Sequence, residues 1–416
     1  MARSVPGPLA GLRVVELTHI MAGPTCGLML ADLGAEVVKI ERLPLGDDTR
    51  RMVPPTVGGE SAAFMMMNRN KRGIALDLRR GEGREIVRRL ALRADVLVEN
   101  LRSGAMERMG LGYEALRAGN PGLVYCSVSG YGRTGPYADR GGFDLVAQGM
   151  SGLMSITGEG PDRPPVKIGA PLTDITAGIL AAMGVLAAYV HRLRTGEGQQ
   201  VDTSLFEAGI VQTYWQSAIA LATGVSPGPM GTAHPLSAPY QAFETSDGWI
   251  TIGAANERNW LLLVQAIGAP ELASDPRFAD NAARMANLTS LQKALARRFR
   301  RRSSEEWLAA LAAAGVPAGP VASIGGMLAD PQTLAREMVT EVSHGRLGPV
   351  RTLGVPVKLS STPGTVRRGA PVLGEHTREI LLEHGYNESA IDALVASGAV
   401  VDGAAGPVAA PGGRST

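Results

Sequence analysis

Over roughly the first 130 residues, short β-branched runs alternate with helix-like stretches, and this alternation restricts the fold more than any other feature. Residues 12–17 (LRVVEL) read as a strand, followed by a turn holding Ala22, Gly23 and Pro24. Residues 25–33 read as a helix that Gly34 stops before a second strand, 36–41 (EVVKIE). The pattern continues with a strand at 73–78, a helix at 81–93, and strands at 96–99 and 123–129. Strands separated by helices pair in parallel and are covered on both faces, so the expected class is α/β with a mostly parallel, Rossmann-like sheet. From Asp174 the pattern is helical through Val190, then a turn at 194–198, a strand at 199–202 and a helix to about 222. Residues 224–240, rich in Gly, Pro and Ser, read as an interdomain loop. A smaller α+β segment follows, with a strand at 249–253 and a helix opening on the capping-box pair Ser303 and Glu306. The basic run 297–302 reads as the solvated end of the preceding helix. Strand-like residues 350–359, a helix at 376–384 and a disordered Gly, Ala and Pro-rich tail from Asp402 complete the chain.

Composition narrows the function by exclusion. With 416 residues, 45% of them hydrophobic and 19% charged, the chain suits a two-domain globular protein. A net charge of +2 argues against nucleic-acid or membrane-surface partners, so anionic ligands must be met by local Arg and Lys clusters. The two cysteines form no disulfide framework or metal motif, and the six histidines show no ligand spacing. No secretion signal is legible at the N-terminus, and the apolar stretch 175–190 reads as a core helix, too short and alanine-rich to span a bilayer. A cytoplasmic setting is expected. Neither a G-x-S-x-G elbow nor a Walker loop is present.

The first βα turn, residues 18–24 (THIMAGP), lies where open α/β sheets receive phosphates. Only Gly23 and Gly27 are available there, so the G-x-G-x-x-G fingerprint of a dinucleotide-dependent dehydrogenase is absent. Three basic groups stand at strand edges: Arg42; then Arg69, Lys71 and Arg72; then Arg102 and Arg108 flanking Gly104. Together they describe a cleft for a polyphosphate such as CoA. Asp174 stands before the apolar helix, a position suited to an N-cap and equally to a nucleophile held ionised by the helix N-terminus. Its small neighbours Gly169, Ala170, Ala177 and Gly178 leave room for a bulky thioester.

Eight motifs in order make the chain resemble the class III CoA transferases, the family of formyl-CoA transferase and carnitine CoA-transferase. They are LAGLRVVEL with AGP, LGAEVVKIER, NRNKRGIALDL, ADVLVENLRSGAMERMGLGYE, SVSGYGRTGPY, PLTDITAG, RTGEGQQVD and APVLGEHT, spread over residues 8–401. The resemblance implies a large domain built from both chain ends, here 1–222 and 331–401. It also implies a small domain at 223–330 carrying a lid loop, and an interlocked homodimer; residues 402–416 are left as the tail. It makes Asp174 the nucleophile and Asp144 a second acidic residue beside it. His19, Ile20, Arg42, Lys71, Asn100 and Arg108 become the CoA contacts. No permanently bound cofactor or metal is implied, because CoA and acyl-CoA are substrates. An aspartyl-CoA thioester, reached through a mixed anhydride, would conserve the energy of the donor thioester.

Departures from the family bear on the substrate. Met21, Met52 and Ala63 replace the glutamine, tryptophan and tyrosine of formyl-CoA transferase, and a segment containing His234 replaces its lid glycines. GTAHPLSAPYQAF and GVPAGPV are more similar to succinate–hydroxymethylglutarate CoA-transferase. That likeness implies succinyl-CoA as donor and a short dicarboxylate as acceptor, with Arg69 a candidate to pair the distal carboxylate. The rival is an α-methylacyl-CoA racemase-like epimerase, whose general-base histidine precedes the acidic residue; Phe143 stands there in this chain.

Overall fold

The computed structural model describes residues 6–403, so most of the expected tail, 404–416, lies outside the described residues. The chain divides into two compact units. The first is made of the chain up to Ser151, Gly169–Gln212 and the chain from Pro331; the second is Gly152–Ile168 with Thr213–Asp330.

The first unit is built on a seven-stranded sheet: β1 (Arg13–Leu17), β2 (Glu36–Arg42), β3 (Lys71–Leu76), β4 (Val96–Glu99), β5 (Val124–Ser129), β6 (Gln200–Ser204) and β7 (Val400–Val401). Its order is β7-β3-β2-β1-β4-β5-β6, all parallel except β7, which runs antiparallel to β3. Alternate residues feed two cores. Val14, Val37, Val96, Val98, Val124 and Cys126 pack under α1 (Ala22–Asp32) and the long helix at Leu172–Thr195. Val15, Val38, Leu97 and Tyr125 face the helix Gly81–Arg93 and two C-terminal helices, Thr377–Glu383 and Glu388–Ala396. The C-terminal segment therefore closes the sheet that the N-terminal segment begins. The strand order reverses between β1 and β4, which opens a crevice at their carboxyl ends.

Boundaries moved where polar groups or turn residues overrode pattern. β3 begins at Lys71, two residues earlier than the apolar run, because the Lys71 ammonium is ion-paired and tolerates burial. The expected strand at 350–359 ends at Leu353, since Pro356 cannot donate to a ladder; Gly348–Leu353 pairs instead with Val339–His344. The helix expected to reach 222 is two, Leu205–Val211 and Tyr214–Thr223. Helix Leu172–Thr195 is long and apolar enough to cross a membrane by length and composition; here Ala177, Ala181, Val185 and Ala188 face the sheet.

The second unit holds three antiparallel strands, Tyr240–Glu244, Trp249–Gly253 and Ala318–Pro320, packed with helices around Phe243, Trp260, Phe299 and Trp307. Ser303 and Glu306 form the expected capping box. In the basic run, Arg298 pairs with Glu271 and Arg300 with Glu244. Segments 152–168 and 213–222, expected in the large domain, cluster with this unit. Gly158 accepts a hydrogen bond from the Gly231 N–H at 2.8 Å, and Trp215 stacks edge-on with His234.

Candidate active site

Three further helices of the first unit frame the acidic pair: α2 (Asp144–Met150), α3 (Leu172–Thr195) and α4 (Leu205–Val211). Pro171 takes the cap position of α3, so Asp174 is its third residue and makes no capping bond. Asp174 is half-buried, and burial, with the nearby Asp144 charge second, pushes its pKa up to about 7. One local expectation is corrected here: Asp174 is not the N-cap, and burial and the Asp144 charge oppose its ionisation. Asp144 does the capping from outside. Its Oδ1 accepts the Thr173 N–H at 3.0 Å and the Thr173 hydroxyl at 2.8 Å, and its Oδ2 accepts Gln148 Nε2 at 2.8 Å. Thr173 and Gln148 are both fully buried, so one carboxylate is fixed in place immediately beside the other. Neither partner was singled out from the sequence.

The small residues around Asp174 divide by role. Gly169 and Ala170 are exposed, and a Cβ at Gly169 would meet nothing within 4 Å. Ala177 and Gly178 are buried and serve helix packing rather than thioester access. A Cβ at Gly178 would lie 2.5 Å from both the Ala22 carbonyl oxygen and Thr25 Cβ. The first turn of α1 thus packs against α3 four residues beyond Asp174, about 6 Å along its axis.

The start of α1 is the turn that leaves β1 at the sheet crevice. Asn100, just past β4, spans the crevice: it accepts the His19 N–H and donates to the His19 carbonyl, both at 2.9 Å. Ile20 sits at φ 67°, and its N–H donates to Asp47 Oδ1 at 3.1 Å. His19 Nδ1 lies 3.4 Å from Asp48, which also binds Arg42 at 2.6 Å and pairs with Arg51. Burial lowers the pKa of His19, against the opposing pull of Asp47 and Asp48, and so favours the neutral ring. Met21 precedes α1, and exposed Met52 ends the short helical turn Asp48–Arg51. The structure therefore gathers His19, Ile20, Met21, Arg42, Met52 and Asn100 around one turn.

The second basic group does not join them. Arg69 is buried and forks onto Asp32 at 2.6 and 3.2 Å, so it is unavailable to a substrate carboxylate. Lys71 is fully buried against Glu16, and Arg72 pairs with Glu379 and Glu383. Arg42, Arg102 and Arg108 remain exposed, with Arg108 folded over Gly104. Phe143 is 73% exposed ahead of Asp144 and has no group to carry a proton. His234, in the second unit, lies between the rings of Trp215 and Tyr240. Its loop is pinned where Asn281 bonds to the Ala238 N–H and the Leu236 carbonyl. A partly open apolar hollow of about 70 Å³, beside Met65, Met66 and Val350, includes none of these residues except Arg69. Among the described residues no cluster of three His, Cys, Asp or Glu side chains could hold a metal.

The profile of CoA-transferase family III matches residues 9–377. The chain belongs to this family. It is 41% identical over 385 residues to a succinate–glutarate CoA-transferase of Agrobacterium fabrum, covering 90% of this chain and 95% of that one. It is 39% identical over 394 residues to the mouse succinyl-CoA:glutarate CoA-transferase, covering 94% and 90%. An acetyl-CoA:oxalate CoA-transferase of Acetobacter aceti is 40% identical over 387 residues, covering 92% and 97%. A crystal structure of a CAIB/BAIF family protein from Brucella suis superposes with TM-score 0.81 at 44% identity, over 91% of this chain and all of that one. The transferase moves CoA between an acyl-CoA and a carboxylate, with CoA as substrate rather than a resident cofactor.

Proposed function

We propose that Asp174 is the nucleophile, that succinyl-CoA is the donor and that a short dicarboxylate of the glutarate type is the acceptor. The observation that carries the assignment is the half-buried Asp174 carboxylate on a helix packed against the start of α1. A desolvated carboxylate near its pKa at neutral pH is a stronger nucleophile than a hydrated one. It attacks the thioester carbonyl, forming a mixed anhydride and releasing CoA thiolate. The thiolate then attacks the aspartyl carbonyl, giving aspartyl-CoA and the free donor acid. The acceptor carboxylate attacks aspartyl-CoA to form a second anhydride, and the thiolate returns to its acyl carbonyl. New acyl-CoA and free Asp174 result. CoA would sit at the β1–β4 crevice against His19 and Ile20, with Arg42 and Arg108 meeting its phosphates.

The substrate pair is supported by the names of the glutarate relatives and by Met21, Met52 and Ala63, which depart from the formyl-CoA pattern. The oxalate relative makes oxalate the competing acceptor. An epimerase reading lacks a proton carrier at Phe143. A homodimer is supported by the outer face of α3, where Ile179, Met183, Val190 and Leu193 stand exposed on one side of the helix, with Leu186 between them partly packed on the core.

The test is intact-protein mass spectrometry after incubation with succinyl-CoA alone, followed by acyl-CoA profiling with glutarate and oxalate. The wild type is expected to gain covalent CoA and then make glutaryl-CoA. Asp174→Asn is expected to do neither, with exchange down by at least about a thousandfold. Exchange retained by Asp174→Asn would remove the nucleophile assignment, and oxalyl-CoA as the main product would replace the acceptor.

A further inference from the structure

Beneath the first βα turn lies a chain of charges that the reaction does not use. Glu16 on β1 and Lys39 on β2 are register partners on the face covered by α1, where neighbouring positions carry valine. Both side chains are wholly buried, as is that of Lys71 on β3. Lys71 Nζ lies 2.8 Å from Glu16 Oε2, Lys39 Nζ 3.2 Å from Glu16 Oε1, and Lys39 Nζ 2.9 Å from Asp47 Oδ2. Two cations and two carboxylates balance. Burial alone would lower the pKa of Lys39, but Asp47, Glu16 and Glu41 outweigh it and the pKa is raised. Gly27 of α1 is part of the same device: a Cβ there would lie 1.7 Å from Glu16 Oε2, so the helix leaves space for the carboxylate.

Three members of this chain reach the main chain of the turn, and Glu16 reaches the Thr18 side chain. Lys39 donates to the Thr18 carbonyl at 2.9 Å, and Lys71 to the Pro24 carbonyl at 2.9 Å. Asp47 accepts the Ile20 N–H, and Glu16 accepts the Thr18 hydroxyl at 2.7 Å. Ile20 is β-branched and left-handed, a combination that persists only where its surroundings over-determine it. Ion pairs buried this completely add little net stability compared with apolar packing, so stability alone does not account for them.

We propose that Glu16, Lys39, Lys71 and Asp47 are positioning residues that hold the turn at 18–24 in its CoA-binding shape without touching CoA. The proposal rests on the placement of CoA at this turn. It assigns Lys71 a role through the Pro24 carbonyl in place of a direct phosphate contact.

The test uses the full-length protein and reads the Kd for CoA by calorimetry, KM and kcat for succinyl-CoA, and thermal unfolding. The double variant Lys39→Met with Asp47→Leu removes an ion pair and leaves the buried charge balanced, so folding is expected to survive. A displaced turn is expected to raise Kd and KM together by roughly ten- to a hundredfold, with kcat at saturation within about threefold. A folded double variant with Kd and KM within about twofold of wild type would overturn the proposal. If the double variant does not unfold cooperatively, Asp47→Asn decides by the same comparison, since it keeps an acceptor for Ile20 and loses the charge and the acceptor for Lys39. His19→Ala separates the two layers of the argument. Unchanged CoA affinity in that variant removes CoA from the turn, and the proposal falls with its premise; weakened affinity there, with unchanged affinity in the charge variants, removes the positioning role alone.

Discussion

At the scale of single residues, the site depends on two carboxylates treated differently. Asp144 is fixed by donors from Thr173 and Gln148, while Asp174 is left half-buried beside that charge. A carboxyl raised to about 7 is protonated below that value, and only the carboxylate attacks. The rate kcat/KM for acyl-CoA is therefore expected to rise through an apparent pKa near 7 and to level off above it. Asp144→Asn removes the like charge and keeps an oxygen for the Thr173 bonds. It is expected to move the acid limb to lower pH, though not to the ordinary carboxylate value, because burial is the larger cause. A pH–rate profile of both proteins reads this directly, and a limb that stays in place would deny the two carboxylates their coupling.

At the scale of elements, the contact of α1 with α3 brings the two halves of the site together. In a helix interior Ala exceeds Gly by about 1 kcal/mol, so Gly178→Ala would stabilise α3 if propensity decided. Steric contact decides instead, since the new Cβ would stand 2.5 Å from the Ala22 carbonyl oxygen and from Thr25. Net destabilisation of roughly 1–3 kcal/mol is expected in denaturant unfolding, with a fall in kcat/KM larger than the fall in expression. A stabilised, fully active variant would show that the helices need not meet this closely.

At the scale of the molecule, the outer face of α3 exposes a row of apolar side chains in a single chain. Met183 and Leu193 are 61% and 68% exposed at the centre and end of its seam. A second copy burying that seam is expected to make the protein a dimer in sedimentation velocity. Met183→Glu with Leu193→Glu is expected to shift it toward monomer and reduce exchange activity. A wild type that sediments as an active monomer at micromolar concentration would leave the seam without this explanation.

Sequence pattern alone determined the parallel sheet, because β-branched runs separated by amphipathic helices pair in one way. It also exposed the family, because eight motifs keep their order. The charges at Glu16 and Lys39 were visible too, as interruptions in LRVVEL and EVVKIE, but their meaning depended on the strands pairing in register. Which cations face solvent was beyond sequence: Arg69 and Lys71 are buried with their carboxylates and Arg72 is largely covered, whereas Arg42, also paired to a carboxylate, stays exposed. The same holds for Asp174. Its helix was legible, but its cap came from Asp144 and its raised pKa from burial, and both are products of chain segments that meet only in the folded unit.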